Sequence, residues 1–518
     1  MRSVRSKVIA AVLLLGVAGV GGWQLLPADE DRRGAIRVGT TDVVSALDPA
    51  GAYDAGSWAL FGNVYQSLLT IKPGSDTPAP DAATSCRFVG QKLTTYRCEL
   101  RPDLTFAGGR AVTAEDVKFS FDRIKRINSD QGPAPLFNTL QSVAAEGRTV
   151  TFNLSTHDAT FPFKIATGAA SIVDKEKYPA AALRTEARVD GSGPYVLGEY
   201  RAGARAELKP NPAYKGQGGA AKARVSVRYF KDPAQLDRAW RDHEVEVAHR
   251  DMPPQVLAGL HPGLEDTRYQ VAGGTETRNL VFNVRPGSAA AKPAVRQAVA
   301  AVLDRSKISG EVYKGTVTPL YSLVPAGIAS HGTPFFDAYP SPNGATAKRL
   351  LGAAGVVAPV PINLGVNVRG TNLPEAEEIK RQLEATGLFQ VRIKPVEAWE
   401  DFQKAYAAGE FDAYTIGWIA DFPDADNFMA PLVGADSSMN NGFSDRLVDE
   451  LITRTQAHSD RAAAAGDFRE LQRLVSQHVP IVPIWQKKDY VLSRESVTGT
   501  QYLADGTGVW RLWDLNWM

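Results

Sequence analysis

FDAYTIGWIADFPDADNF, residues 411–428, opens as a strand and ends in acid. Its first eight residues alternate and carry Tyr414, Ile416 and Trp418, the residue types of a buried strand. Such a strand ordinarily ends in neutral turn residues. This one runs into Asp421, Asp424 and Asp426, with Trp418 and Phe422 close to the first of them. Asp after a strand is most often a solvated turn residue. The alternative is that the carboxylates are held there for a charged partner.

Upstream, PINLGVNV (361–368) reads as a strand and LPEAEEIKRQLEATG (373–387) as a helix, with Ile379 and Leu383 at i, i+4 and Gly387 closing it. FQVRIKPV (389–396) is a second strand and AWEDFQKAYAAG (398–409) a second helix. With the opening stretch this makes β-α-β-α-β, the order of an α/β fold with a largely parallel sheet. Two helical segments follow over about 445–478, then VPIVPIWQ (479–486), a Pro-bounded strand. The first half is mixed. In LRPDLTFAGGRAVTAEDVKFSFDRI (100–124), Thr113 is placed as an N-cap with Asp116 three residues on, and Val112 and Val117 can form the hydrophobic staple. The helix this predicts buries Val117, Phe121 and Ile124. GSGPYVLGEY (191–200) begins a strand-rich stretch, TRNLVFNV (277–284) is a short apolar strand, and KPAVRQAVAAVLDRSKI (292–308) is a helix with Val295, Val299 and Val302 on one stripe.

The chain has 518 residues, 44% apolar and 22% charged, with a formal net charge of +1. Its Lys and Arg are spread out, so nothing gathers a phosphate backbone and nucleic acid is not an expected partner. Arg2, Arg5 and Lys7 precede an uncharged run from Val8 to Ala28, followed by DEDRR. As a helix that run would span roughly 30 Å, the thickness of a bilayer core. It is read as an uncleaved anchor with the body outside the cytoplasm; a cleaved signal peptide is the rival and gives the same location. Cys86 and Cys98, in SCRFVGQKLTTYRCEL (85–100), sit equidistant from a turn near Gly90 to Lys92, so a hairpin would oppose them in position for a disulfide. The alternative is two buried thiols. No H-E-x-x-H, G-x-S-x-G, S-x-x-K or C-x-x-C occurs, HEVEVAH (243–249) lacks the i+4 His of a metal site, and the seven His are scattered. No enzyme activity, metal or cofactor is expected.

Taken together, LRPDLTFAGGRAVTAEDVKFSFDRI, GSGPYVL, RNLVFNV followed by VRQAVAAVLDRSKI, GWIADFPDADNF and HVPIVPIWQKKDYVL resemble the large solute-binding proteins of ABC importers in the dipeptide, oligopeptide and nickel class, in family order over about 450 residues. The resemblance implies a two-lobed periplasmic-binding-protein-like α/β fold with an inserted subdomain in lobe I. The boundaries it suggests are 1–28 for the anchor or signal segment, 29–70, 186–275 and 486–518 for lobe I, 71–185 for the insertion and 276–485 for lobe II, the chain crossing near Thr275 and Gln486. It implies a monomer that swallows a small peptide between the lobes and presents the closed form to ABC permease subunits. By the same match Asp421 accepts the peptide's α-ammonium, Trp418 and Trp399 are pocket aromatics, and Arg369 clamps the carboxylate. Trp510, Trp513 and Trp517 are read as lobe I packing. The chain departs from the pattern in lacking a lipidated Cys after the apolar run, in Gly108 where an acid is usual, and in Ala425 where Pro is common. A membrane-anchored peptide sensor, or a binder of a nickel chelate, siderophore or oligosaccharide, are the alternative functions.

Overall fold

A computed structural model describes residues 34–503 and 509–518. Strand Val360–Asn367, helix Asn372–Glu384, strand Phe389–Val396, helix Trp399–Ala408 and strand Ala413–Trp418 follow one another as the periodicity predicts. The first strand lies between the other two and runs parallel to both. Gly387 and Gly409 end the two helices with φ of 68° and 78°, a left-handed turn that a residue with a Cβ resists. Ile379 and Leu383 are buried in the core under this sheet, with Leu364, Phe402 and Phe428. A second parallel cassette has Ile36–Thr40 between Val225–Tyr229 and Val247–His249, extended antiparallel by Arg205–Pro210 and Tyr195–Arg201.

Two long antiparallel strands, Arg268–Phe282 and Ile481–Ser493, join the cassettes into one mixed sheet. Thr277 pairs with Gln486 midway along them. On one side Thr277–Phe282 pair with Ala413–Trp418; on the other Val491–Ser493 pair with Val247–His249. The resulting architecture is two α/β lobes sharing a pair of continuous strands. A fully buried carboxylate fixes this pair to the parallel β-α-β lobe: Glu375 accepts from Arg278 Nε at 2.7 Å, Trp485 Nε1 at 2.7 Å and Tyr313 Oη at 2.9 Å. Arg278 also donates to Thr415 Oγ1 at 2.9 Å. All partners of this acid are satisfied, as a buried charge requires.

A separate four-stranded sheet, in the order Ala83–Phe88, Thr95–Leu100, Thr149–Leu154, Leu140–Glu146, packs against helix Ala114–Ile127. The helix begins in the expected capping box, Thr113 Oγ1 accepting from Asp116 N and Asp116 Oδ2 from Thr113 N. Val117, Phe121 and Ile124 enter a core with Phe137, Phe152 and Phe161. Cys86 opposes Cys98 across the first hairpin and the two form a disulfide, with Cα atoms 4.1 Å apart. The run from Val8 to Ala28 lies outside the described residues; among those described, no helix is long and apolar enough to cross a membrane. Because the bridge closes a short loop between strands that already pair, replacing both cysteines by Ser is expected to lower stability by about 2–3 kcal/mol. Hydrogen exchange should localise the loss to the small sheet, leaving the protection of the long crossing strands unchanged.

Candidate functional site

The carboxyl ends of the three parallel strands Val360–Asn367, Phe389–Val396 and Ala413–Trp418 lie along one edge, where open α/β sheets present their binding residues. Arg369, Trp399 and Asp421 follow these three ends in turn. Facing Asp421 is the other lobe, and between them lies a cleft of about 1240 Å³, counting its opening to solvent. Trp58, Thr167, Gly168 and Ser171 form part of one wall, Ile419, Ala420 and Asp421 the other, and Glu276, Lys487 and Asp489 of the long strands line it between.

Asp421 is held from both sides. Its Oδ2 accepts from Asn427 Nδ2 at 2.9 Å, within its own loop, and from Tyr53 Oη at 2.7 Å, across the cleft. Asn427 Oδ1 in return accepts from the Asp421 main-chain N at 2.8 Å, so the loop is locked around the acid. Tyr53 is itself stacked on Trp58, ring centroids 5.2 Å apart. Among the described residues no cation pairs with Asp421. Burial pushes its carboxyl up to about 6, against the Asn427 and Tyr53 hydrogen bonds and the field of Lys164. Lys164 is already paired with Asp158, at 2.8 Å.

The neighbouring acids do different work. Asp424 is buried and takes both Arg461 Nε, at 2.8 Å, and Nη2, at 2.9 Å. Asp426 is buried under Gln456, whose Nε2 lies 3.1 Å from Oδ1. Neither is the solvated turn residue that an Asp after a strand usually is; both hold the loop.

Trp418 pairs with Thr277 at the end of its strand and packs partly buried against the core, its Nε1 buried without a partner among the described residues. Trp399 is 44% exposed and packs on Phe402, ring centroids 5.8 Å apart. Arg369 is exposed, and its positive field helps, behind Lys487 and Arg250, to hold the Asp251 carboxyl below its usual range. These three share the binding edge with Asp421 but are not among the residues lining the cleft. Trp510 is packing, as expected, whereas Trp513 packs on the same core and also lines the cleft. The cations in the cleft have partners: Lys487 meets Asp251 and, at 3.1 Å, Glu276, while Arg250 Nε donates to Asp42 at 3.0 Å. No cluster of three or more His, Cys, Asp or Glu that could hold a metal occurs among the described residues.

Sequence reasoning missed the contacts that hold the lobes together. Phe422, next to Asp421, belongs to the core of the small inserted body, its ring 5.7 Å from Phe163. Beside it Ala159 N donates to Gln456 O at 2.8 Å, and His157 Nε2 lies 3.0 Å from Thr453 O. Tyr53 carries no motif that marks it, and Asn427 lies inside GWIADFPDADNF without being singled out there; only the folded chain brings Tyr53 to Asp421.

A cleft between two lobes joined by a pair of long sheet strands, with an acid on its wall that pairs with no cation among the described residues, is the arrangement of a solute-binding protein. The family model for the middle part of bacterial extracellular solute-binding proteins, family 5, matches residues 77–440, and the chain belongs to that family. It is 26% identical to di/tripeptide-binding protein 2 of Pseudomonas aeruginosa over 534 residues, covering 96% of each. Among solved structures, a periplasmic binding protein of Helicobacter pylori in complex with the peptide STSA superposes with a TM-score of 0.79 at 22% identity, covering 95% of this chain and 100% of that one. A dipeptide-binding protein from Pseudoalteromonas sp. SM9913, in complex with Met-Leu, gives 0.80 at 20% identity, over 93% of this chain and 100% of that one.

Burial, then the Asp424 carboxylate, push Asp426 up to about 7. The folded protein therefore holds this proton more tightly than the unfolded chain, and stability is lost as pH rises toward 7. Asp426→Asn removes the charge and keeps the shape. Its stabilising effect in thermal unfolding is expected to be small near pH 4, to grow through pH 7 and to level off above, reaching at most about 4 kcal/mol. A pH-independent effect would mean that Asp426 is ionised throughout.

Proposed function

We propose that this chain captures a small peptide outside the cytoplasm by its free amino terminus and delivers it, lobes closed, to an ABC importer. The observation that carries the reading is Asp421: a carboxylate on the cleft wall, fixed by Asn427 and Tyr53, with Oδ1 unbonded among the described residues and no cation beside it. An α-ammonium is the group that such a site lacks. A charge-assisted hydrogen bond of this kind contributes roughly 1.5–3 kcal/mol. The peptide-binding relatives support the choice of solute.

In this reading the lobes divide at the middle of the long strands, near Thr275 and Gln486, with residues 71–185 inserted in lobe I. Trp418 backs the loop that carries Asp421. Arg369 and Trp399, on the same edge but exposed, meet the far end of the solute. The run from Val8 to Ala28 attaches the protein to the membrane, and it acts as a monomer.

Asp421→Asn keeps the loop hydrogen bonds and removes the charge. Calorimetric affinity for free peptides is expected to fall roughly 30-fold or more, the effect of truncating one partner of a buried charge pair. N-acetylated peptides have no ammonium; they should bind wild type poorly and lose little more in the variant. Equal losses for both peptide forms would make Asp421 a structural residue and end the proposal. Because a protonated Asp421 cannot pair with an ammonium, wild-type affinity should fall as the pH drops through about 6, and it should fall again above about 8, where the peptide's own α-ammonium loses its proton. The Asn variant should lack the acid-side fall.

A further inference from the structure

Asp421 is not the only acid in the cleft whose carboxylate is bonded to no cation among the described residues. Asp81 also lines it, only 6% exposed, at the far side in the lobe that carries Tyr53. Its Oδ1 accepts from Gln217 N at 2.8 Å and from Tyr214 Oη at 3.4 Å; its Oδ2 has only Gln66 Nε2, at 3.3 Å. Arg101 is near, but its Nε donates to the Asp81 main-chain carbonyl at 2.6 Å and it reaches the carboxylate only through its field. The second observation is independent of the acid. Gln66, 3% exposed and also lining the cleft, has turned its amide nitrogen to Asp81 and left Oε1 buried with no hydrogen-bond partner among the described residues. A buried acceptor without a donor costs about 1–3 kcal/mol, and native proteins keep few of them.

We propose that Asp81 and Gln66 form a second polar pocket of the cleft, which takes a cationic side chain of the bound peptide, so that the preferred solute is a basic one. This rests on the peptide reading above and extends it to the choice of peptide. A lysine ammonium carries three donors, and an arginine carries more; either can serve Asp81 Oδ2 and Gln66 Oε1 together. The walls suit the aliphatic stem of such a side chain, since Ile71, Tyr65, Trp58 and Trp513 line the same cleft. The charge balance agrees. Asp81, Glu276, Asp421 and Asp489 line the cleft against Arg250 and Lys487, and both of those cations are already paired. Burial holds the Asp81 carboxyl above its usual range, the behaviour of an acid still lacking its counter-charge.

The test is a calorimetric panel on the wild-type protein: tri-alanine with Lys, and separately with the neutral isostere norleucine, at each position in turn. At one position Lys is expected to bind about tenfold tighter or more than norleucine. Asp81→Asn should abolish that preference, bringing the Lys and norleucine peptides to within about twofold of each other. Binding of the panel with no preference for Lys at any position overturns the second pocket and leaves the amino-terminus reading intact. N-acetylated Lys peptides that bind as tightly as free ones overturn the role of Asp421 and leave the pocket standing. A preference for Lys that survives in Asp81→Asn overturns the assignment to Asp81. The wild-type comparison decides the matter even where the variant fails to fold.

Discussion

Glu375 takes hydrogen bonds from Arg278 on one long strand and Trp485 on the other, and from Tyr313 beside them. Removing one partner of such a buried pair typically costs about 3–5 kcal/mol, because the remaining charge is stranded away from water. The hub therefore makes the inner halves of both strands a rigid part of the parallel β-α-β lobe. Past Thr277 and Gln486 the strands belong equally to the other cassette, where Val491–Ser493 pair with Val247–His249. In the reading proposed above, motion between the lobes is confined to the middle of these two strands. That is where the register shifts between Gly273 and Thr277 and where Glu276 and Lys487 enter the cleft.

The acids around the cleft show how one residue type is sorted by its partners. Asp424, with a two-pronged Arg461, is structural; Asp426, under Gln456, is structural and carries its burial as a raised proton affinity. Asp421 and Asp81 are set apart by what they lack. Each is fixed by neutral donors that orient the carboxylate without neutralising it, which is why the proposals above give each of them a cation of the solute.

Local pattern carried far in this chain. The alternation of 411–418 and the i, i+4 spacing of Ile379 and Leu383 placed the parallel cassette; Thr113 and Asp116 placed a cap; and the symmetry of Cys86 and Cys98 about a turn placed the bridge. These signals lie within a few residues of one another and need only the rules of helix and strand geometry. The motif that singles out Asp421 is local too. Its hydrogen-bonding partner Tyr53 was not legible, since 368 residues separate them. The same holds for the Asp424–Arg461 pair and for Glu375, an acid in the first turn of its helix, where sequence pattern gives no sign of burial. Trp513 was read as packing because an aromatic cluster near a terminus usually is; it serves the core and the cleft together.

Phe422 has a consequence for speed. Its ring is buried in the inserted body beside Phe163, one residue from the acid that would meet the solute. Parting the lobes exposes that ring, and fully exposing a Phe costs about 1.5–3 kcal/mol. On that contact alone the open form is disfavoured by about ten- to a hundredfold. Solute can enter only while the protein is open, so the association rate is reduced by the same fraction. The ring that steadies the closed form thus makes entry slow and, for the same reason, escape slow.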